Sequence, residues 1–301
     1  MRALVIGAAG MIGRKLAAQL PEARLVDLVG AAGVEAADVT EPATAARVVA
    51  ERPEVVFHLA AVLSGEAEAD FEKGYRVNLD GMRNLLEAIR ALDGYRPRLV
   101  FASSIAVFGA PYREPIPDDF LTAPLTSYGT QKAVAELLLA DYSRRGFVDG
   151  IGLRLPTITV RPGAPNLAAS SFFSSIIREP LNGREAVLPV PDHVRHWHAS
   201  PRSAVGFLLH AASLDTARVG PRRSLTMPGV SVTVAEQIEA LRRAGGDDAA
   251  RLIRREPDET IARMVAGWPR TFDPRRAVEL GFRAETSFDE IVRAYVEDDL
   301  G

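Results

Sequence analysis

Cysteine is absent from the 301 residues, which excludes disulfides, thiol nucleophiles and cysteine-ligated zinc or iron–sulfur centres. Lysine is nearly absent: Lys15, Lys73 and Lys132 are the only three among 36 basic residues. With a net charge of −3 and 25% charged residues, the chain lacks the basic excess of a nucleic-acid binder. No apolar run approaches the ~18 residues of a membrane span. A strand pattern begins at once, with no signal peptide before it, so a cytoplasmic location without membrane or nucleic-acid partners is expected. The length suffices for one large α/β unit with an attached smaller lobe.

Arg2-Ala3-Leu4-Val5-Ile6 reads as a buried strand, followed by Gly7-Ala8-Ala9-Gly10-Met11-Ile12-Gly13 and a helical run from Arg14. A glycine-rich turn between strand and helix offers backbone N–H groups and a helix N-terminus to a pyrophosphate, so Gly7, Gly10, Met11, Ile12 and Gly13 are candidate dinucleotide contacts. Leu25-Val26-Asp27-Leu28 is a second strand, with Asp27 twenty residues after Gly7, where a carboxylate accepts ribose hydroxyls. That carboxylate would repel a 2′-phosphate, which favours NAD over NADP. Ala37-Asp38-Val39 reads as a weak third strand, placing Asp38 and Val39 near the adenine, although a turn aspartate is the plainer alternative.

Glu54-Val55-Val56-Phe57-His58-Leu59-Ala60-Ala61 is the continuous apolar run of a strand covered on both faces. Ligands bind beyond the carboxyl ends of such strands, which assigns Leu59, Ala60 and Ala61 to the cofactor and Ser64 to the substrate. His58, inside the run, reads as a core histidine. A helix is expected from Asp70 to Leu92, then a strand Arg98 to Ser104, a polar connection from Ala110 to Leu125, a helix from Tyr128, and a strand Gly150 to Leu155 stopped by Pro156. This alternation predicts a doubly wound parallel sheet of the Rossmann type over 1–156. Leu155 and Pro156 fall at the cofactor side of its last strand, with Thr157 toward the substrate. Residues 157–301 lose the alternation and are expected to form a smaller C-terminal substrate lobe, part of which can pack back on the sheet.

Thr126-Ser127-Tyr128-Gly129-Thr130-Gln131-Lys132 is the most telling stretch. On a helix, Tyr128 and Lys132 lie one turn apart on one face, so an ammonium sits beside a phenol and favours the phenolate. Six tyrosines and three lysines scattered over 301 positions give far less than one such pair by chance. Keeping a compact ammonium here, where other cations are arginine, suits proton transfer. Ser104, at a strand's carboxyl end, is equally a local turn former and a hydroxyl for a reacting oxygen.

With the Gly-x-x-Gly-x-x-Gly turn, Asp27, Ser104, Tyr128 and Lys132 in this order, the chain resembles the extended short-chain dehydrogenase/reductases, in their nucleotide-sugar epimerase/dehydratase-like branch, over essentially its whole length. The resemblance implies an enzyme in which Tyr128 transfers the proton, Lys132 binds the ribose and lowers the tyrosine pKa, and Ser104 polarises the substrate oxygen. Ser104 is preferred to Ser103 because it precedes Gly109 by the family's five residues; Ser103 and Asn78 then join the cofactor set, Asn78 with a structural part. The stretches Ala60–Phe71, Tyr142–Phe147, Leu155–Ile158 and Ile177–Gly183 are similar to those of a sugar-acid dehydrogenase of that branch. They imply NAD-dependent oxidation of the 2-hydroxyl of a small sugar acid, and the branch implies a homodimer through helices near 71–92 and 128–144.

Where nucleotide-sugar enzymes commonly carry acids, this chain reads Arg195-His196-Trp197-His198-Ala199-Ser200. Arg195 matches the arginine that meets their diphosphate, so it becomes the candidate for the substrate carboxylate. Arg161 and Arg178 read as surface or helix charges. His193, His196 and His198 invite a metal, but hydride transfer needs none and no metal is expected. A nucleotide-sugar epimerase or dehydratase retaining NAD and a non-catalytic dinucleotide sensor are the alternatives.

Overall fold

A computed structural model describes residues 1–163 and 170–300. Seven parallel strands run side by side in the order Ser224–Thr226, Asp149–Leu155, Arg98–Ser104, Val55–His58, Ala3–Ile6, Arg24–Asp27 and Glu35–Ala36. The central strands are apolar throughout because helices cover both faces. Helices Met11–Gln19 and Pro201–Ser213 pack on one side, burying Val5, Phe57, Val100 and Phe207. Helices Pro42–Val49, Gly81–Arg90 and Ser127–Arg144 cover the other, over Leu4, Val56, Leu99 and Phe101. Each such side chain stabilises the fold by roughly 1.5–3 kcal/mol. Strand order reverses between Ala3–Ile6 and Val55–His58, which opens a crevice beyond their carboxyl ends, where doubly wound sheets take ligands.

Three elements differ from the sequence reading. The third strand is Glu35–Ala36 rather than 37–39, because the Asp38 side chain accepts from the Thr40 amide at 2.9 Å and turns the chain. The helix expected over 70–92 is broken into Ser64–Ala69, Phe71–Tyr75, a π-turn at Arg76–Asp80 and Gly81–Arg90, with the Asp70 side chain capping the second piece through the Lys73 amide. The third difference is a seventh strand, Ser224–Thr226, that three residues between Arg223 and Met227 do not announce.

The chain beyond 156 thus contributes to both layers. Phe207, Leu225 and Phe282 belong to the main core. The remaining lobe is built on Arg195–Ala199, paired antiparallel with Val230–Thr233 and parallel with Thr157–Ile158, and on the parallel pair Ala186–Leu188 and Ile253–Arg255. Phe173, Ile176, Ile238 and Leu241 fill its interior. Among the described residues no helix is long and apolar enough to cross a membrane.

Candidate active site

The glycine turn fits the phosphates of a dinucleotide. Gly7 has φ 91°, and a Cβ on it would come within 2.6 Å of the Ala60 nitrogen, so the turn lies against the Leu59–Ala61 segment as the strand-end argument requires. A Cβ on Gly13 would meet the Gly7 carbonyl at 2.1 Å, whereas one on Gly10 meets nothing closer than 3.4 Å. Glycine at 7 and 13 is therefore demanded by the protein itself. Gly10 is not demanded in that way, and it caps the helix Met11–Gln19 with no side-chain acceptor and no acid in the first turn. Met11 and Ile12 begin that helix, so their amides remain for an anion. The Asp27 Oδ2 accepts from the Ala9 amide at 2.9 Å, which leaves the carboxylate standing over the turn.

Other cofactor candidates are placed less simply. Asp38 spends one oxygen on Thr40, and Val39 is a core residue. The Asn78 amide bridges the Val62 backbone, at 2.9 and 3.1 Å, to the Gln131 side chain at 2.7 Å. Asn78 therefore ties the loop after Ala61 to the helix carrying Tyr128. Ser103 donates to Glu136 at 2.6 Å and is buried. Leu155 pairs in register with Ser104 at the carboxyl edge of the sheet, and Pro156 is buried behind it.

Tyr128, Lys132 and Ser104 are brought together by a helix start. Thr126 caps the helix Ser127–Arg144 by accepting from the Gly129 amide at 3.1 Å, so Tyr128 enters in the first turn. A Cβ on Gly129 would meet the Ala106 carbonyl at 2.2 Å, so glycine there lets the helix close on the turn that follows Ser104. Ser104 Oγ accepts from the Ala106 amide at 3.1 Å in that turn. The Lys132 ammonium donates to the Ala102 carbonyl at 2.8 Å and lies 5.7 Å from the Tyr128 ring centre. Glu68 accepts from the Ser127 amide at 2.6 Å, which anchors the Ser64–Ala69 helix, and with it Ser64, beside the same helix start.

Burial raises the Tyr128 pKa, while the Ser104 hydrogen bond and the Arg161 charge pull it down. Desolvation lowers the Lys132 ammonium itself to about 7, although the nearby Glu136 carboxylate raises it. Burial thus favours the neutral phenol.

Arg195 is occupied: Nη1 donates to the Ser231 carbonyl at 2.7 Å and Nη2 pairs with Glu236 at 3.1 Å, at the lobe's edge. Arg178, read as a helix charge, is buried and paired with Glu179. Arg161, read as a surface charge, folds back so that Nε donates to the Ile158 carbonyl at 2.9 Å. Thr157 Oγ1 lies 2.7 Å from His196 Nε2. His196 and His198 are buried, and desolvation lowers His196 to about 4 and His198 well below its usual value. His198 lies 3.1 Å from Thr159 Oγ1 and 3.0 Å from Gln237 Nε2, so both histidines are woven into the lobe's core.

Sequence reasoning missed Glu136, Arg154 and Gln131. Arg154 projects from an apolar strand and holds Glu136 at 2.8 Å. A lone acid within Ala133–Leu139 and a lone arginine within Gly150–Leu155 were the available signal.

A parallel seven-stranded sheet with a glycine turn at its switch point, and a Ser–Tyr–Lys group at the adjoining strand end, defines a dinucleotide-binding oxidoreductase-type fold. The chain belongs to the NAD dependent epimerase/dehydratase family, which it matches over residues 3–199. It is 47% identical to a D-erythronate dehydrogenase from Cupriavidus necator, covering 99% of this chain and 98% of the relative, and 43% identical to one from Haemophilus influenzae over 84% and 80%. In structure it is similar to a protein described as the nucleoside-diphosphate-sugar epimerase from Agrobacterium tumefaciens, at TM-score 0.96 and 60% identity, covering 100% of this chain and 95% of that one.

Proposed function

We propose that the protein oxidises the 2-hydroxyl of a small sugar acid, D-erythronate, to 2-dehydro-D-erythronate with NAD. The observation that carries the reading is the helix start that sets Tyr128 and Lys132 against the end of the strand bearing Ser104, with Lys132 held by the Ala102 carbonyl, in a chain 47% identical to a D-erythronate dehydrogenase over nearly its whole length. NAD, when bound, supplies the hydride acceptor. Gly7, Gly10, Met11, Ile12 and Gly13 would hold its phosphates, Asp27 its ribose hydroxyls, and the Leu59–Ala61 rim one wall. The close-packed glycine turn and the helix end without a side-chain cap support that fit.

Within that frame Ser104 orients the substrate hydroxyl and Tyr128 accepts its proton as the C2–H bond breaks. Tyr128 needs positive charge to act as a base, since burial alone holds it neutral. Arg161 contributes part of that charge, and Lys132 adds to it when protonated. Lys132 also binds ribose and is fixed by the Ala102 carbonyl. Ser64 and Thr157 contact the sugar-acid hydroxyls. Two copies would associate through the helices near 71–92 and 128–144.

The 60% identical structure described as a nucleotide-sugar epimerase keeps a second reading in play, in which NAD is retained through the cycle. The Arg195–Ser200 stretch, without the acids common in such enzymes, speaks for the smaller anion. A screen for net NADH formation over four- and five-carbon aldonic acids and nucleotide-sugars separates the two. Turnover with an aldonic acid supports the proposal, and interconversion of a nucleotide-sugar without NADH release overturns it.

A further inference from the structure

Oxidation of a 2-hydroxy acid places a carboxylate one carbon from the reacting hydroxyl, and a buried carboxylate needs a cation. Many arginines stand beyond residue 157, and the structure sorts them by what they already hold. Arg178 is neutralised by Glu179, Arg195 by Glu236, Arg202 by Glu297 and Asp298, and Arg276 by Asp118. Those that form no ion pair among the described residues are Arg161, Arg218, Arg222, Arg263, Arg283 and Arg293; all but Arg161 are exposed. The neighbouring segment 164–169, Ala-Pro-Asn-Leu-Ala-Ala, contains no acid that could serve it.

Arg161 is also in the right place. Its Nε donates to the Ile158 carbonyl at 2.9 Å and its Nη2 to Ser170 Oγ at 3.2 Å, two neutral acceptors that orient a guanidinium without cancelling its charge. Ile158 lies three residues beyond Leu155, which is in register with Ser104. The Arg161 amide donates to Ser174 at 3.1 Å and its carbonyl accepts from Arg178 at 2.8 Å, so the backbone under the side chain is held on both sides. Its charge reaches the Tyr128 phenol and His198. A part-buried cation with no acid partner among the described residues is costly to maintain unless a ligand supplies the anion.

We infer that Arg161, rather than Arg195, binds the substrate carboxylate, making it the residue that selects 2-hydroxy acids over neutral polyols and nucleotide-sugars. The inference rests on the sugar-acid reading above. Lysine at 161 would keep the charge but lose the planar two-point match.

The test compares Arg161→Ala, Arg161→Lys and Arg195→Ala for steady-state oxidation of D-erythronate, with NAD binding and thermal unfolding as checks on folding. Arg161→Ala is expected to raise KM for D-erythronate about 10–100-fold, with NAD affinity unchanged, partial recovery on adding guanidinium ion, and a smaller effect in Arg161→Lys. Arg195→Ala is expected to stay within about twofold of wild type. Calorimetric titration of D-erythronate into the NADH complex, where no hydride can be accepted, should show the same loss for Arg161→Ala. A folded Arg161→Ala that binds NAD and keeps the wild-type KM overturns the inference while leaving the sugar-acid reading intact. Should the wild type oxidise no aldonic acid, that reading fails first, and Arg161 loses its proposed ligand with it. If Arg161→Ala does not fold, wild-type KM and D-erythronate binding in Arg161→Lys would overturn the inference, and a loss in both would support it.

Discussion

The Arg154 guanidinium grips the Glu136 carboxylate through three hydrogen bonds, Nε to both oxygens at 3.0 and 3.1 Å and Nη2 to Oε2 at 2.8 Å, directly behind Lys132. Both residues are buried, and Glu136 stands one helical turn beyond Lys132 on the face that also carries Tyr128. The pair extends through Ser103 on one side, and through the Asp118 carbonyl, which Arg154 Nη1 meets at 3.0 Å, to Arg276 on the other. It thereby joins the helix that carries Tyr128, two strands of the sheet and the C-terminal segment.

Removing one member leaves an uncompensated buried charge. Arg154→Met is expected to destabilise the fold by about 3–5 kcal/mol, while the paired change Arg154→Met with Glu136→Leu is expected to recover much of that loss. Urea unfolding of the two single variants and the double variant measures it, and additive losses would mean the residues do not act as a pair.

Tyr128→Phe removes the proposed proton acceptor and keeps the ring. A fall in kcat of at least about 100-fold is expected, with NAD affinity nearly unchanged, because only the proton-transferring oxygen is lost. Stopped-flow or steady-state kinetics with cofactor titration checks both halves.

Gly129→Ala tests the same alignment without touching a functional group. A methyl there would meet the Ala106 carbonyl at 2.2 Å and push the helix start away from the turn after Ser104. We expect a loss in kcat of about 10-fold or more, out of proportion to any loss of NAD binding. A variant with wild-type kcat would mean that Ser104 and Tyr128 do not depend on this approach.

Much of this arrangement was legible in the sequence because it is written locally. The glycine turn, the parallel strands with their continuous apolar runs, and Tyr128 four residues before Lys132 each follow from neighbouring residues. The seventh strand was not legible, since Ser224–Thr226 becomes a strand only by finding the edge at Gly152–Arg154. Nor could spacing tell Arg161 from Arg195: the difference lies in Glu236, brought to Arg195 by the pairing of Arg195 with Thr233. Tyr128's pKa likewise depends on burial and a distant arginine, neither of which an i, i+4 pattern contains.

Asp27 accepts from the Ala9 amide through one oxygen, so Asp27→Asn can retain the turn while removing the negative charge. The preference for NAD over NADP, read as a ratio of kcat/KM values, is expected to narrow by about 10-fold or more. A wild type that already prefers NADP would refute the role given to Asp27.

Acid should destabilise the protein below about pH 6.5. His58 is lowered to about 3 and His196 to about 4 by desolvation, His58 also by Lys132, so the folded chain cannot take up protons that the unfolded chain binds near 6.5. The unfolded state then holds more protons, and stability falls as pH drops from about 6.5 toward 4. Urea midpoints across that range measure the slope, and His58→Asn is expected to flatten it.

The most direct test of the central claim is the time course of NADH formation when the purified protein meets excess NAD and D-erythronate. The account predicts many turnovers of NADH per chain, matched mole for mole by a four-carbon 2-oxo acid and abolished in Tyr128→Phe. No net NADH with D-erythronate or any other aldonic acid, alongside interconversion of a nucleotide-sugar on retained cofactor, would contradict it.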